Sequence, residues 1–120
     1  MKTIAVIEDD QDVREGIGAL LEFDGMRVLA FANGQDALRG LRDEAPDLIL
    51  LDLVMPVLSG EEFLEECARE GLFQSVPIVL ITSFSRQRAP TARACNRRLE
   101  KPFDVVEFLR MVHEFVGARP

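Results

Sequence analysis

Tryptophan and tyrosine are absent from the 120 residues, and the chain has one histidine and two cysteines. Without Trp or Tyr, no strong intrinsic fluorophore reports on its state. Cys67 and Cys95 lie far apart, with no partner at metal-ligand spacing. This argues against a cysteine metal site and for reduced packing residues in a cytoplasmic protein. No apolar run approaches the length that spans a bilayer, so no membrane association is expected. The start Met1-Lys2-Thr3-Ile4 leads directly into a strand, without the basic, apolar and small-residue order of a secretory signal. Internal repeats, low-complexity tracts and linkers are also missing.

What is present is ample apolar material and an excess of acid. Hydrophobic residues make up 48% of the chain, enough for the core of one domain. The net charge of -7 argues against nucleic acid as a direct partner. The charge is unevenly spread, because Phe84 to Arg98 holds Arg86, Arg88, Arg93, Arg97 and Arg98 and no acid. Removing those five charges from the total of -7 leaves -12 on the rest of the chain.

Strand-like apolar runs alternate with amphipathic segments from end to end, the pattern of a doubly wound α/β sheet. The runs are Thr3 to Ile7, Arg27 to Phe31, Leu48 to Leu51, Val79 to Ile81 and the stretch ending at Leu99. Val13, Ile17, Leu20 and Leu21 recur at helical spacing until Asp24-Gly25 stops them, with Gly16 and Gly18 weakening that helix. Asn33-Gly34 opens a short helix with Ala37, Leu38 and Leu41 inward. Ser59-Gly60 opens another, with Phe63, Leu64 and Cys67 inward and Glu61, Glu62, Glu65 and Glu66 outward. Asp104 reads as the N-cap of the last helix, with a stripe of Val105, Phe108, Leu109, Val112, Phe115 and Val116. The whole reads as one (βα)5 unit over residues 1–120, with right-handed crossovers. Only Gly117 to Pro120 follow the last helix, so no effector domain is expected.

The chemistry sits where the apolar runs stop. The first run ends in Glu8-Asp9-Asp10, the third in Asp52, the fourth in Thr82-Ser83 and the fifth in Glu100-Lys101-Pro102. In an open parallel sheet the ligand crevice lies beyond these carboxyl ends. Acids, a hydroxyl and an ammonium gathered there suit metal-assisted phosphoryl chemistry, because crowded carboxylates repel one another and recruit a divalent cation. Each residue also has a blander reading. Asp52 suits a turn, the acids of positions 8 to 10 suit the first turn of a helix, and Thr82 suits a strand. An exposed Lys101 needs no special reason. Asp10 is expected to be such a helix-start acid, and the lone His113 a partly buried surface histidine rather than a phosphotransfer site.

Taken together, Val6-Ile7-Glu8-Asp9-Asp10 with Arg14, Pro46-Asp47 through Asp52-Leu53-Val54-Met55-Pro56 to Ser59-Gly60, Thr82-Ser83 and Lys101-Pro102-Phe103 resemble the receiver domain of two-component response regulators. The resemblance covers essentially the whole chain. It implies a flavodoxin-like three-layer sandwich with parallel strand order 2-1-3-4-5, and phosphorylation at Asp52 by the phosphohistidine of a sensor histidine kinase or a phosphotransfer protein. Mg²⁺ (or Mn²⁺) would be held by Asp9 and Asp52, by Glu8 directly or through water, and by the Val54 backbone carbonyl. Lys101 would pair with one phosphoryl oxygen and Thr82 would donate to another, with the Val54 and Ser83 N–H groups assisting. A cis Lys101-Pro102 bond is also implied. Such a domain catalyses its own phosphorylation and dephosphorylation without being a conventional enzyme. It acts on a downstream protein partner or a covalently linked effector.

Two departures bear on output. The family usually has an aromatic residue three before its lysine, where this chain has Arg98, and a small-residue stretch before that is replaced by Arg93-Ala94-Cys95. The span from Thr82 to Lys101 is also about one helical turn shorter than the family norm, and Pro90 permits a helix only from about that residue on. A short or irregular helix is expected there. Arg98 is expected to stay at the surface, and output to run through Ser83, Phe84 and the arginines towards an acidic partner. Solvated loop charges are the competing reading of those arginines. Val54 and Phe84 are both apolar where the family's counterparts flank the approach of water, so a long-lived aspartyl phosphate is expected. A phosphorylation-independent interaction module is the alternative for the chain as a whole. A hydrolytic phosphatase would want an acid at position 54, which is valine.

Overall fold

Five strands form a parallel sheet whose central members are apolar runs covered on both faces. A computed structural model describes residues 1–52, 58–82, 97–101 and 103–117. In chain order the elements are β1 (Thr3–Ile7), α1 (Gln11–Phe23), β2 (Arg27–Phe31), α2 (Gly34–Leu41), β3 (Leu48–Asp52), α3 (Gly60–Glu70), β4 (Ile78–Thr82), β5 (Arg97–Glu100) and α4 (Val105–Val116). The sheet order is β2-β1-β3-β4-β5, all parallel, as the resemblance implies. Four helices lie among the described residues. The helix expected between β4 and β5 falls at positions outside them.

Alternation along the strands divides the core in two. Ala5, Ile7, Ile49, Leu51, Ile78 and Leu80 point to one face, where α2 and α3 cover them with Leu38, Leu41, Phe63, Leu64 and Cys67. Ile4, Val6, Leu48, Leu50, Val79 and Ile81 point to the other, under Ile17 and Leu21 of α1 and Phe108, Met111 and Val112 of α4. This is the three-layer sandwich. All five residues of β3 are buried, which is why Leu48 to Leu51 read as a continuous apolar run and not an alternating one.

Helix starts are set by side chains that accept orphan backbone N–H groups: Asp10 from Val13, Asn33 from Asp36 and Asp104 from Glu107. Ser59 and Glu62 form a reciprocal capping box at α3, which ends on Gly71 at φ 68°. Such caps are typically worth about 1 kcal/mol each. Asp10 therefore serves as the expected helix-start acid. Arg42 and Glu70 join α2 to α3 through two hydrogen bonds of 2.8 and 3.1 Å. Arg42 holds the Glu70 carboxyl below its usual range, and its own guanidinium is raised in turn.

One detail of the last helix differs from the sequence reading. Val105 is 46% exposed, and Met111 takes its place in the buried stripe. Phe108, Met111, Val112 and Val116 form the buried stripe of α4, and Val105 of its first turn stands outside it. No helix among the described residues is long and apolar enough to cross a membrane.

Candidate functional site

The crevice forms because the chain leaves β1 in opposite directions. β2 lies on one side of β1 and β3 on the other, so the loops after β1 and β3 part and open a cleft at the carboxyl edge. Ile7 pairs with Leu51, which brings Glu8 level with Asp52. Asp52 in turn pairs with Ile81, and Thr82 with Glu100 immediately before Lys101. Register alone thus brings together four of the predicted positions from strands far apart in sequence. Asp9 joins them from the turn that follows Glu8.

Carboxylate oxygens of Glu8, Asp9 and Asp52 all lie within 4.8 Å of one another. Glu8 is 1% and Asp52 6% exposed, whereas Asp9 opens to solvent. At an effective dielectric of about 20, two unit charges at that separation repel by about 3 kcal/mol. The Lys101 ammonium relieves part of this. Its Nζ lies 2.5 Å from Glu8 Oε1 and 3.9 Å from Asp52 Oδ2. Three carboxylates against one ammonium still leave an excess of two negative charges, all on hard oxygen donors. That donor set suits Mg²⁺, which takes oxygen ligands and keeps several waters.

The turn carrying the acids is tightly held. Glu8 N–H donates to the Phe31 carbonyl at 3.0 Å, extending the β1–β2 ladder one residue past the strand. The Asp10 N–H donates to Glu8 Oε2 at 3.2 Å. Arg14 Nη1 donates to the carbonyls of Glu8 and Asp9 at 2.8 and 3.3 Å. Sequence reasoning included Arg14 in the motif without a role. The signal was its place in the first turn of a helix, close behind the acids. On the far side of the crevice, the Gly34 N–H donates to the Leu58 carbonyl at 3.3 Å, tying α2 to the segment between Asp52 and α3. Reading the sequence did not reveal that contact either.

The profile of the response regulator receiver domain matches residues 4–113. The chain belongs to that family. This receiver domain is 30% identical over 119 residues to the response regulator Rre1 of Synechocystis, aligning 96% of its own length with 52% of that protein. It therefore spans about half the length of Rre1. Among solved structures, it resembles the receiver domain of the sensor histidine kinase PA1611 from Pseudomonas aeruginosa, with TM-score 0.87 and 29% identity over 98% of each chain. That structure has a magnesium ion coordinated in its active site cleft. The response regulator TrrA of Thermotoga maritima, in complex with Mg²⁺-BeF, gives TM-score 0.84 and 28% identity over 96% of this chain and 99% of that one.

Some predicted positions are not settled by this geometry. Val54, Ser83, Phe84, Pro102 and most of the arginine-rich segment lie outside the described residues. Thr82 ends β4, and only its backbone placement is described. Arg98 is half-buried in β5, with its Nε shielded from solvent. Arg97 is exposed and pairs with Glu114 of α4. His113 is half-buried, as expected, and pairs with Asp24 at the end of α1.

Proposed function

We propose that Asp52 is the phosphoacceptor of this receiver domain and that Glu8, Asp9 and Asp52, with the Val54 carbonyl, hold Mg²⁺ (or Mn²⁺). The observation that carries the reading is the buried Asp52 carboxylate at the end of β3, gathered with two further carboxylates and facing the Lys101 ammonium. One Asp52 oxygen attacks the phosphorus of a phosphohistidine on a sensor histidine kinase or phosphotransfer protein. The new O–P bond forms as the P–N bond breaks, and the imidazole leaves with the electron pair. Lys101, within reach of both Glu8 and Asp52, offers a point charge to a phosphoryl oxygen, and the Thr82 hydroxyl is the candidate donor to another. Bound Mg²⁺ supplies neutralisation of the charge gathered on the phosphoryl and carboxylate oxygens. The phosphorylated domain then acts on a downstream protein or a linked effector. A phosphorylation-independent module would have no need of three clustered carboxylates and a facing lysine.

Incubation with acetyl phosphate and Mg²⁺ should add one phosphoryl mass to the intact protein, and Asp52→Asn should abolish the gain. Uptake by Asp52→Asn at the wild-type rate, or uptake indifferent to Mg²⁺, would overturn the assignment.

A further inference from the structure

We infer that Arg14 is a positioning residue for metal binding: its guanidinium clamps the backbone of Glu8 and Asp9 and so fixes where their carboxylates stand. The inference rests on the proposed role of those acids as metal ligands. Arg14 lies in the first turn of α1, where side chains lean back towards the helix start. Its Nη1 thereby reaches over the β1–α1 turn to the Glu8 carbonyl at 2.8 Å and the Asp9 carbonyl at 3.3 Å. A cation in the first turn opposes the helix dipole, so this site is a poor one for arginine unless something else holds it. Among the described residues no carboxylate pairs with Arg14, whose partners there are the two carbonyls.

Glu8 and Asp10 have restraints of their own on either side of Asp9, including the Asp10 N–H on Glu8 Oε2 and the Lys101 ammonium on Glu8 Oε1. Glu8 is anchored by its N–H on Phe31, and Asp10 by its capping of α1. Between them, Asp9 is exposed and its carbonyl is met by Arg14. Loss of the clamp frees the peptide units on which both carboxylates are mounted. Outer groups that orient metal ligands typically change metal affinity by about 10- to 100-fold when removed.

The sign of the effect separates positioning from electrostatics. If Arg14 acted only as a charge, its removal would lessen repulsion of the incoming cation, and Mg²⁺ would bind more tightly. If it acts by positioning, its removal weakens binding. Titration of the intact chain with Mg²⁺, followed by backbone NMR shifts, should show R14M binding about tenfold more weakly than wild type. R14K, which keeps a donor, should recover part of the loss. Wild-type or tighter affinity in R14M would overturn the positioning role while leaving the proposed function intact. A wild-type chain that binds no Mg²⁺ would overturn both. If R14M does not fold, the neutral and shorter R14Q takes its place, read by the same two outcomes.

Discussion

Replacing Lys101 with methionine tests whether the acids of the crevice are held by interchangeable charge compensation. Glu8 is 1% exposed and its Oε1 lies 2.5 Å from Lys101 Nζ. K101M keeps the length of the aliphatic stem and removes the ammonium, leaving the Glu8 carboxylate buried beside Asp52. Removing one partner of a fully buried ion pair costs about 3–5 kcal/mol. Lys101 is 20% exposed, so water recovers part of that, and about 2–3 kcal/mol is expected in a chelator. For a chain of this size each kcal/mol lowers Tm by about 4 °C, giving a fall of about 8–12 °C. Mg²⁺ should restore much of this, because Lys101 and the metal compete for the same oxygens. By linkage, each 1.4 kcal/mol restored under saturating metal corresponds to about tenfold tighter Mg²⁺ binding by the variant. Thermal melts followed by circular dichroism, in EDTA and across a Mg²⁺ series, measure both quantities without needing a fluorophore. Neutralising Glu8 as well, in E8Q/K101M, should regain stability in EDTA relative to K101M alone. An equal loss with and without Mg²⁺, or none in EDTA, would refute the reasoning.

The same substitution at two glycines should act in opposite directions. A Cβ at Gly34 would lie 2.8 Å from the Leu58 carbonyl oxygen, a backbone atom that cannot rotate aside. G34A should therefore lose about 1–3 kcal/mol in denaturant unfolding and shift the amide resonances of Leu58 and Ser59; unchanged stability would show that the contact is slack. At Gly16 a Cβ would meet nothing within 4 Å, and G16A should gain about 0.5–1 kcal/mol by restoring helix propensity. A loss there would mean that α1 needs the glycine for something other than local structure.

Much of this protein was legible before any coordinates. The run Leu48 to Leu51 needs only one fact, that a strand covered on both faces is apolar at consecutive positions, and Asp52 ends that run while still buried. The caps at Asp10, Asn33, Ser59 and Asp104 follow from the local need to satisfy helix-end N–H groups, which depends on residues three apart. The strand order came from the resemblance, whose motifs at successive strand ends carry topology that local patterning does not. Val105 shows where periodicity stops being informative. It has the spacing of the buried stripe yet is 46% exposed, because spacing fixes a face of the helix and not what covers each turn of it.

Tertiary structure decided how the parts meet. Glu8 and Lys101 are 93 residues apart in sequence, and only the register of four strands determines that the lysine's ammonium contacts Glu8 more closely than Asp52. The contact of Gly34 with Leu58 joins two backbone groups, so no side-chain pattern announces it, and the partners of the Arg14 guanidinium are carbonyls that every residue possesses. Sequence specified which groups the crevice would contain, because composition at strand ends is a local property. Their distances, and therefore their electrostatics, come from packing between segments whose separation along the chain bears no relation to their separation in space.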